Sequence, residues 1–270
     1  MTDKIPDFYR QAIYHAFSGV IGIRYPNMRG AQNNVLFVKT NDGDYAAKFI
    51  NRDMALKNCA AARLMSARGI PVPETRICNC GGTWIERYPL ISGKTLHEQV
   101  RTGMSDEQIR RAYEDILTHF VAMENIPVER FVTDAKSRKF HDMAYENVKI
   151  TNGTVMAAAL RPLAYLANCG RSRNTALLHS DITPKNVIVD ENGRLVSFLD
   201  LDSVTLCNRS YAFAVMADKW QELGFNPAEL YDKYEIMAEK PLNRSRINTM
   251  LNAVHFMKTM MFHASKLRRK

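Results

Sequence analysis

Four polar residues, His179, Asp181, Asn186 and Asp200, lie among three apolar runs in the stretch LLHSDITPKNVIVDENGRLVSFLDLDSV, Leu177 to Val204. The runs are Ala176 to Leu178, Val187 to Val189 and Leu195 to Leu199. A surface loop would be polar throughout, and a core strand would not keep carboxylates at its ends. The segment DENGR, Asp190 to Arg194, joins the last two runs as a glycine-bearing hairpin turn. A hairpin brings its outer ends together, so Asn186 and Asp200 are expected to emerge side by side. Asp181 precedes Asn186 by five residues, in a loop stiffened by Pro184. A carboxylate, a carboxamide and a second carboxylate at one edge are hard oxygen donors of the kind Mg²⁺ takes. Whichever carboxylate the metal leaves free can accept a proton. The apolar strands therefore read as a frame that holds acids in register for a metal-bound nucleotide.

The elements that must position this edge are legible in outline. Val35 to Val38 and Tyr45 to Ile50 flank Asn41-Asp42-Gly43-Asp44, a strong hairpin signal. A helix is expected over roughly Asp53 to Arg68, stopped by Gly69 and followed by extended chain at Pro71 and Pro73. Thr75 to Cys78 and Thr83 to Tyr88 straddle Gly81-Gly82 as a second hairpin. From Gly93 onward the pattern turns helical. Ser105 to Gln108 is a capping-box signal, with Ile109, Tyr113, Ile116, Phe120 and Met123 behind it at helical spacing. A late stripe of Met250, Val254, Met257 and Met261 reads as core rather than as a cofactor or lipid box. The change from strand-rich to helix-rich sequence falls near Tyr88 to Gly93, which divides the chain into residues 1–90 and 91–270.

Composition sets the outer limits. The chain has 270 residues, of which 46% are hydrophobic and 24% charged, as expected of a folded globular protein with a sizeable core. No run approaches the roughly 20 apolar residues of a membrane span, and MTDKIPDFYRQ lacks an export stretch, so a cytoplasmic location is expected. The five cysteines include Cys78-Asn79-Cys80, too close for a Cys-x-x-Cys motif, and read as reduced structural thiols. A net charge of +9 fits an anionic partner such as nucleotide phosphate, or a solvated basic surface. The one tight basic cluster is the tail from Lys266 to Lys270, without zinc-finger spacing or aromatic-basic strands. No nucleic-acid partner is expected from it. Nothing in the sequence sets an oligomeric state.

The residues of the opening stretch also carry a resemblance. The segment from His179 to Asn186, HSDITPKN, resembles the H-x-D-x-x-x-x-N catalytic loop of the protein-kinase-like superfamily. The wording is most similar to its aminoglycoside phosphotransferase and choline-kinase-like branch. Phe198 to Asp202, FLDLD, resembles that branch's metal-binding I-D-F-x-D segment. Asp44 to Ile50 is similar to the third-strand lysine segment, with Lys48 as the lysine. Gly69 to Pro73 and Gly93 to Leu96 resemble the family's G-x-P-V-P and G-x-T-L stretches, so the likeness spans roughly Asn33 to Tyr211.

The resemblance implies an α+β, bilobal protein-kinase-like fold, with an antiparallel-sheet small lobe and a mainly helical large lobe. It implies Asp181 as the base for an acceptor hydroxyl, and Asn186 and Asp200 as Mg²⁺ ligands. Lys48 would bind the α- and β-phosphates of ATP, or of GTP. Asp202 would hold a second metal or cap the following turn. Backbone near Tyr88 and Leu90 would read the base, and His179 would buttress the loop. Asn33 and Asn34, with Gln32, would approach phosphate, although turn chemistry explains these residues equally well.

The sequence departs from the family pattern in three places. The usual helix glutamate that pairs the lysine is missing: counting back from Pro71 puts its place near Asn58 or Cys59, and Asp53 could substitute only from a position more than a turn away. The glycine-rich phosphate loop is absent. Ala212 stands where the family's Y-D-L-A segment carries an acid that supports the catalytic loop. The activity implied is a small-molecule kinase acting on a hydroxyl of a sugar, amino alcohol, aminoglycoside or envelope saccharide. The positive charge argues against a cationic aminoglycoside and suits a neutral or anionic acceptor at least as well. A pseudokinase module is the alternative motivated by the missing glutamate. A protein kinase is disfavoured by Ser180 in place of the arginine after the histidine and by the lack of an A-P-E segment.

Overall fold

The computed structural model describes residues 5–26, 34–127, 131, 175–252 and 255. Helix α1 (Asp7–Ala16) and strand β1 (Val20–Arg24) precede the first expected hairpin. Neither is among the strand-rich elements expected of this region. Tyr9, Ala12, Ile13 and Ala16 recur at helical spacing, and Ala12 and Ile13 are buried. Strands β2 (Val35–Thr40) and β3 (Gly43–Ile50) form the expected hairpin. Helix α2 (Arg52–Ser66) follows, its first turn closed by the Asn51 side chain accepting from the Met54 amide at 2.9 Å. Strands β4 (Arg76–Cys80) and β5 (Thr83–Pro89) make the second hairpin.

The five strands form one antiparallel sheet in the order β1-β2-β3-β5-β4, because β5 returns to pair with β3 rather than with its chain neighbours alone. Pairing of Phe49 with Ile85 and of Ala47 with Arg87 puts one set of side chains on the α1 face. There Ala47, Phe49 and Ile85 pack with Ile13, Phe17, Leu36 and Val38 in a small core. The alternate set, with Lys48 opposite Glu86 and Ala46 opposite Tyr88, lies on the other face, where Asn58 of α2 meets Glu86.

The rest of the chain is mainly helical. Strand β6 (Lys94–Thr95), helix α3 (Leu96–Arg101) and helix α4 (Asp106–Glu124) come first. Ser105 and Gln108 form the expected capping box, and Ile109, Tyr113, Ile116, Phe120 and Met123 are all buried. Beyond residue 131 come β7 (Thr175–His179), β8 (Val187–Val189) and β9 (Leu195–Phe198), then a 3₁₀ turn (Leu201–Ser203) and β10 (Val204–Asn208). Helices α5 (Arg209–Glu222) and α6 (Pro227–Ala238) follow, with residues 244–252 helical beyond them. Strand β7 pairs with β10, while β6, β8 and β9 form a three-stranded sheet.

One large core joins Phe120, Phe213, Trp220 and Tyr234 to Leu177, Val187 and Phe198. Ala61, Leu64 and Met65 of α2 belong to that same core, so this helix bridges the sheet and the helical part. Met250 packs against the core, and Val254, Met257, Met261 and the basic tail lie outside the described residues. Among the described residues no helix is long and apolar enough to cross a membrane.

The hairpin that carries the acids is tied to α4. Gly193 takes φ +80° in its turn, and a Cβ there would fall 2.5 Å from the Gln108 carbonyl oxygen, so only glycine permits the approach. The Gln108 amide donates to the Glu191 carbonyl at 2.8 Å, which fixes the turn on the helix start.

Candidate active site

All three β8 residues are buried, as is Phe198 at the end of β9, which makes the hairpin a rigid support. Its open end is closed by the Leu199 amide donating to the Asn186 carbonyl at 2.8 Å, so Asn186 and Asp200 do flank one edge. The Asn186 side-chain amide donates to Asp181 Oδ2 at 2.9 Å and to the Asp181 carbonyl at 3.0 Å. That leaves Asn186 Oδ1 as the atom able to face a cation. Asp200 has φ 57° and ψ 60°, a left-handed conformation that aspartate tolerates better than most residues. It turns the chain sharply from β9 into the 3₁₀ turn, closed by the Ser203 amide donating to the Asp200 carbonyl at 3.0 Å.

His179 ends β7 and is fully buried. Its Nε2 lies 2.7 Å from the Leu199 carbonyl, and its Nδ1 accepts from the Asp181 amide at 3.3 Å. The carbonyl requires the proton on Nε2, and the amide requires a bare Nδ1, so the network assigns a neutral ring. Burial pushes the imidazole pKa down, against the pull of the Leu199 carbonyl, Asp181 and Asp200. The next residue fastens the loop a second time: the Ser180 amide and hydroxyl both donate to the Ser203 carbonyl, each at 2.8 Å. These bonds hold the loop although Ala212 offers no carboxylate.

Lys48, buried on β3, reaches across to the acids. Its Nζ is 2.8 Å from Asp200 Oδ1 and 2.8 Å from Asp202 Oδ2. Burial opposes its charge, but Asp200, Asp202 and then Glu86 outweigh that cost and raise its pKa. Asp200 shows the converse. Burial works against its charge, the contact and hydrogen bond with Lys48 outweigh it, and the net shift is downward. Burial raises Asp181, with Asp200 pushing it further up and the hydrogen bond from Asn186 holding it back.

The counter-charge that the sequence left open comes from Asp200 and Asp202 and, behind them, from Glu86. Glu86 on β5 lies directly opposite Lys48 and is buried, and burial pushes its carboxyl up to about 7. Asn58 stands on α2 where a glutamate was expected. Its amide donates to Glu86 Oε2 at 2.7 Å and to Asp202 Oδ1 at 2.6 Å, linking the two acids. Asp53, the substitute considered from the sequence, is exposed at the start of α2.

Lys57, next to Asn58 on α2, went unnoticed in the sequence, where a helical lysine reads as solvated. It is buried, and its Nζ donates to the carbonyls of Leu201, Asp202 and Val204 at 3.0, 2.6 and 2.9 Å. Burial lowers its pKa to about 8, with Asp202 resisting.

The remaining sequence candidates divide. Asn34 donates its side-chain amide to the Phe49 carbonyl at 2.9 Å and so extends the pairing of β2 with β3. Tyr88 shares the Lys48 face of the sheet, and the Leu90 amide donates to the Asp44 carbonyl at 2.8 Å. Asn33 and Gln32 lie outside the described residues. Among the described residues no three His, Cys, Asp or Glu side chains form a ready metal cage. The donor set nevertheless fits Mg²⁺, which takes one or two carboxylates together with phosphate and water rather than an all-protein cage.

The family model described as the phosphotransferase enzyme family matches residues 26–240. No curated protein sequence matches the chain. Among solved structures, the GDP and kanamycin complex of APH(2")-IIia superposes with a TM-score of 0.65 at 11% identity, over 98% of this chain and 93% of that one. An aminoglycoside phosphotransferase from Streptomyces rimosus in complex with ADP and streptomycin gives 0.61 at 15% identity, over 92% of this chain and 96% of that one. The macrolide 2'-phosphotransferase of Brachybacterium faecium gives 0.58 at 15% identity, over 96% and 91%. The fold is the α+β, kinase-like one that these structures share.

Proposed function

The chain belongs to the phosphotransferase enzyme family, and from that premise we propose that it moves the γ-phosphoryl group of ATP or GTP onto a hydroxyl of a small molecule, with Mg²⁺ as cofactor. The observation that carries this reading is the junction of Lys48 with Asp200 and Asp202 at 2.8 Å each, beside an Asn186 that is bonded to Asp181. In it the candidate phosphate-binding lysine, the metal-binding oxygens and the base meet at one edge. Residues 1–90 would serve the nucleotide and 91–270 the catalysis and the acceptor.

Each residue then has a definite task. Asp181 accepts the acceptor's hydroxyl proton, and the Asn186 amide holds its carboxylate in place. His179 keeps the loop seated by donating to Leu199. Lys48 exchanges its bonds to Asp200 and Asp202 for phosphate oxygens, releasing both carboxylates toward the cation side. Asn186 Oδ1, Asp200 and Asp202 would hold Mg²⁺, which when bound neutralises charge on the nucleotide phosphates. Little covalent help is needed in phosphoryl transfer, so positioning and charge carry most of the rate.

The missing helix glutamate motivated the pseudokinase reading, and the partners Lys48 finds in Glu86, Asp200 and Asp202 count against it. Solved structures of this fold hold ADP with streptomycin and GDP with kanamycin. Either purine nucleotide is therefore a reasonable donor. The charge of +9 favours a neutral or anionic acceptor, such as a sugar, amino alcohol or envelope saccharide, over an aminoglycoside. A nucleotide-dependent reaction suits a cytoplasmic location. The test is ATP and GTP turnover over a panel of these hydroxyl compounds, with Asp181→Ala as control. Acceptor-dependent turnover that the variant loses supports the proposal, and equal turnover by both proteins removes Asp181 as base.

A further inference from the structure

We propose that Lys57 is the positioning residue through which helix α2 sets the metal-binding turn, holding Asp200 and Asp202 in place before any cation arrives. The inference rests on the active-site reading above and deepens it. An ammonium group has three N–H donors and no acceptor. At Lys57 three separate carbonyls receive it, those of Leu201, Asp202 and Val204, all within 3.0 Å and all from one tight turn. The side chain is buried, so it does not extend its head to water as helical lysines do.

An apolar residue here would be cheaper to bury, yet it would leave three carbonyls beside the core without this donor. The left-handed Asp200 explains why a cation fits. It reverses the chain, and the carbonyls that follow converge on Lys57 Nζ while the carboxylates of Asp200 and Asp202 meet Lys48. Lys57 therefore clasps the backbone of the turn whose side chains Lys48 clasps. The adjacent Asn58 ties the Asp202 carboxylate to the same helix. Helix α2, anchored in the large core by Ala61, Leu64 and Met65, thus controls the metal-binding turn through Lys57 and Asn58, its one acid, Asp53, being exposed at the helix start.

Position and charge predict opposite effects, which makes the inference testable. Deleting a positive charge next to Asp202 would strengthen Mg²⁺ binding if Lys57 acted by charge alone. Losing the position of Asp200 and Asp202 would weaken it. The experiment titrates a fluorescent ATP analogue, with MgCl₂ and with EDTA, into the wild type, Lys57→Met and Lys57→Arg. Amide hydrogen exchange is followed in the metal-free proteins.

The expected result for Lys57→Met is a loss of about 10- to 100-fold in Mg²⁺-dependent affinity. Affinity in EDTA should stay within about threefold, and exchange should quicken locally from Leu201 to Cys207. Lys57→Arg keeps the charge, but its planar fork cannot direct donors to three convergent carbonyls. It should weaken Mg²⁺ dependence in the same direction, and it decides the question if Lys57→Met does not fold. Unchanged or tighter Mg²⁺ dependence in the variants would overturn the inference, as would equal losses with MgCl₂ and EDTA. A wild type whose nucleotide binding ignores Mg²⁺ would instead bring down the active-site reading, and this inference with it.

Discussion

Two buried charge clusters in this protein are built on opposite balances. At the end of α4, Glu124 is wholly inaccessible and accepts from the Tyr234 hydroxyl at 2.8 and 2.9 Å and from Lys240 at 2.5 Å, with Arg209 3.5 Å away. One carboxylate there meets two cations and a hydroxyl, and no anionic edge is left for anything else. In the cleft, three carboxylates, Asp200, Asp202 and Glu86, meet two ammonium groups, Lys48 and Lys57. Two of those carboxylates reach solvent, with side-chain exposures of 38% for Asp200 and 21% for Asp202. The first cluster is closed, with cations in excess, and ties helices together. The second keeps the carboxylates of Asp200 and Asp202 on its open side, as the proposed uptake of a cation and phosphate would require.

Substitutions in the two clusters should therefore fail in different ways. The largest effect is expected at the open cluster's base: Asp181→Ala should lower kcat about 10²- to 10⁴-fold while nucleotide affinity holds, measured by steady-state kinetics and nucleotide titration. Next, Glu124→Gln should cost about 3–5 kcal/mol of stability in denaturant unfolding, because it breaks a buried pair and strands its partners. Its Mg²⁺ dependence should match the wild type. A Glu124 variant with altered Mg²⁺ dependence would erase the distinction between the clusters.

Smaller effects sharpen the open cluster itself. Asn58→Ala removes the link between Glu86 and Asp202, and a loss of about tenfold in Mg²⁺-nucleotide affinity, roughly 1.4 kcal/mol, is expected by calorimetry. The smallest effect concerns pH. Glu86 has a folded pKa raised from 4.5 to about 7, so its contribution to stability is present below pH 4.5 and lost as pH rises toward 7. Glu86→Gln cannot ionise and should lack that part of the decline, seen as a flatter stability profile between those values. Profiles of identical shape would place the Glu86 titration elsewhere.

The parts of this site that could be read from the sequence are the local ones. Asp181, Asn186 and Asp200 sit on one hairpin and its flanking loop, so turn chemistry and strand alternation were enough to bring them together. The strand of Lys48 was legible from the Asn41 to Asp44 turn, and its role from the resemblance to the third-strand lysine segment. Glu86 was not, because its position opposite Lys48 depends on β5 pairing with β3 across the intervening helix and hairpin. At Asn58 counting found the place, but not the chemistry, since an amide joining two acids replaces the expected acid. Lys57 left no trace at all: its partners are backbone carbonyls, which every residue carries. Helix α1 was overlooked because it is short and its apolar face is completed only by the sheet it covers.

The central claim is that the open cluster is a Mg²⁺-dependent nucleotide site, and thermal melting of the wild type and Asp200→Ala, with ATP or GTP and either MgCl₂ or EDTA, tests it most directly. A nucleotide at about 100 times its Kd adds roughly 2.7 kcal/mol, a rise of several degrees for a chain of this size. The wild type should show that rise with MgCl₂ and lose most of it in EDTA, and Asp200→Ala should melt alike in both. A rise of equal size with and without Mg²⁺, or one that Asp200→Ala retains in full, would contradict the account.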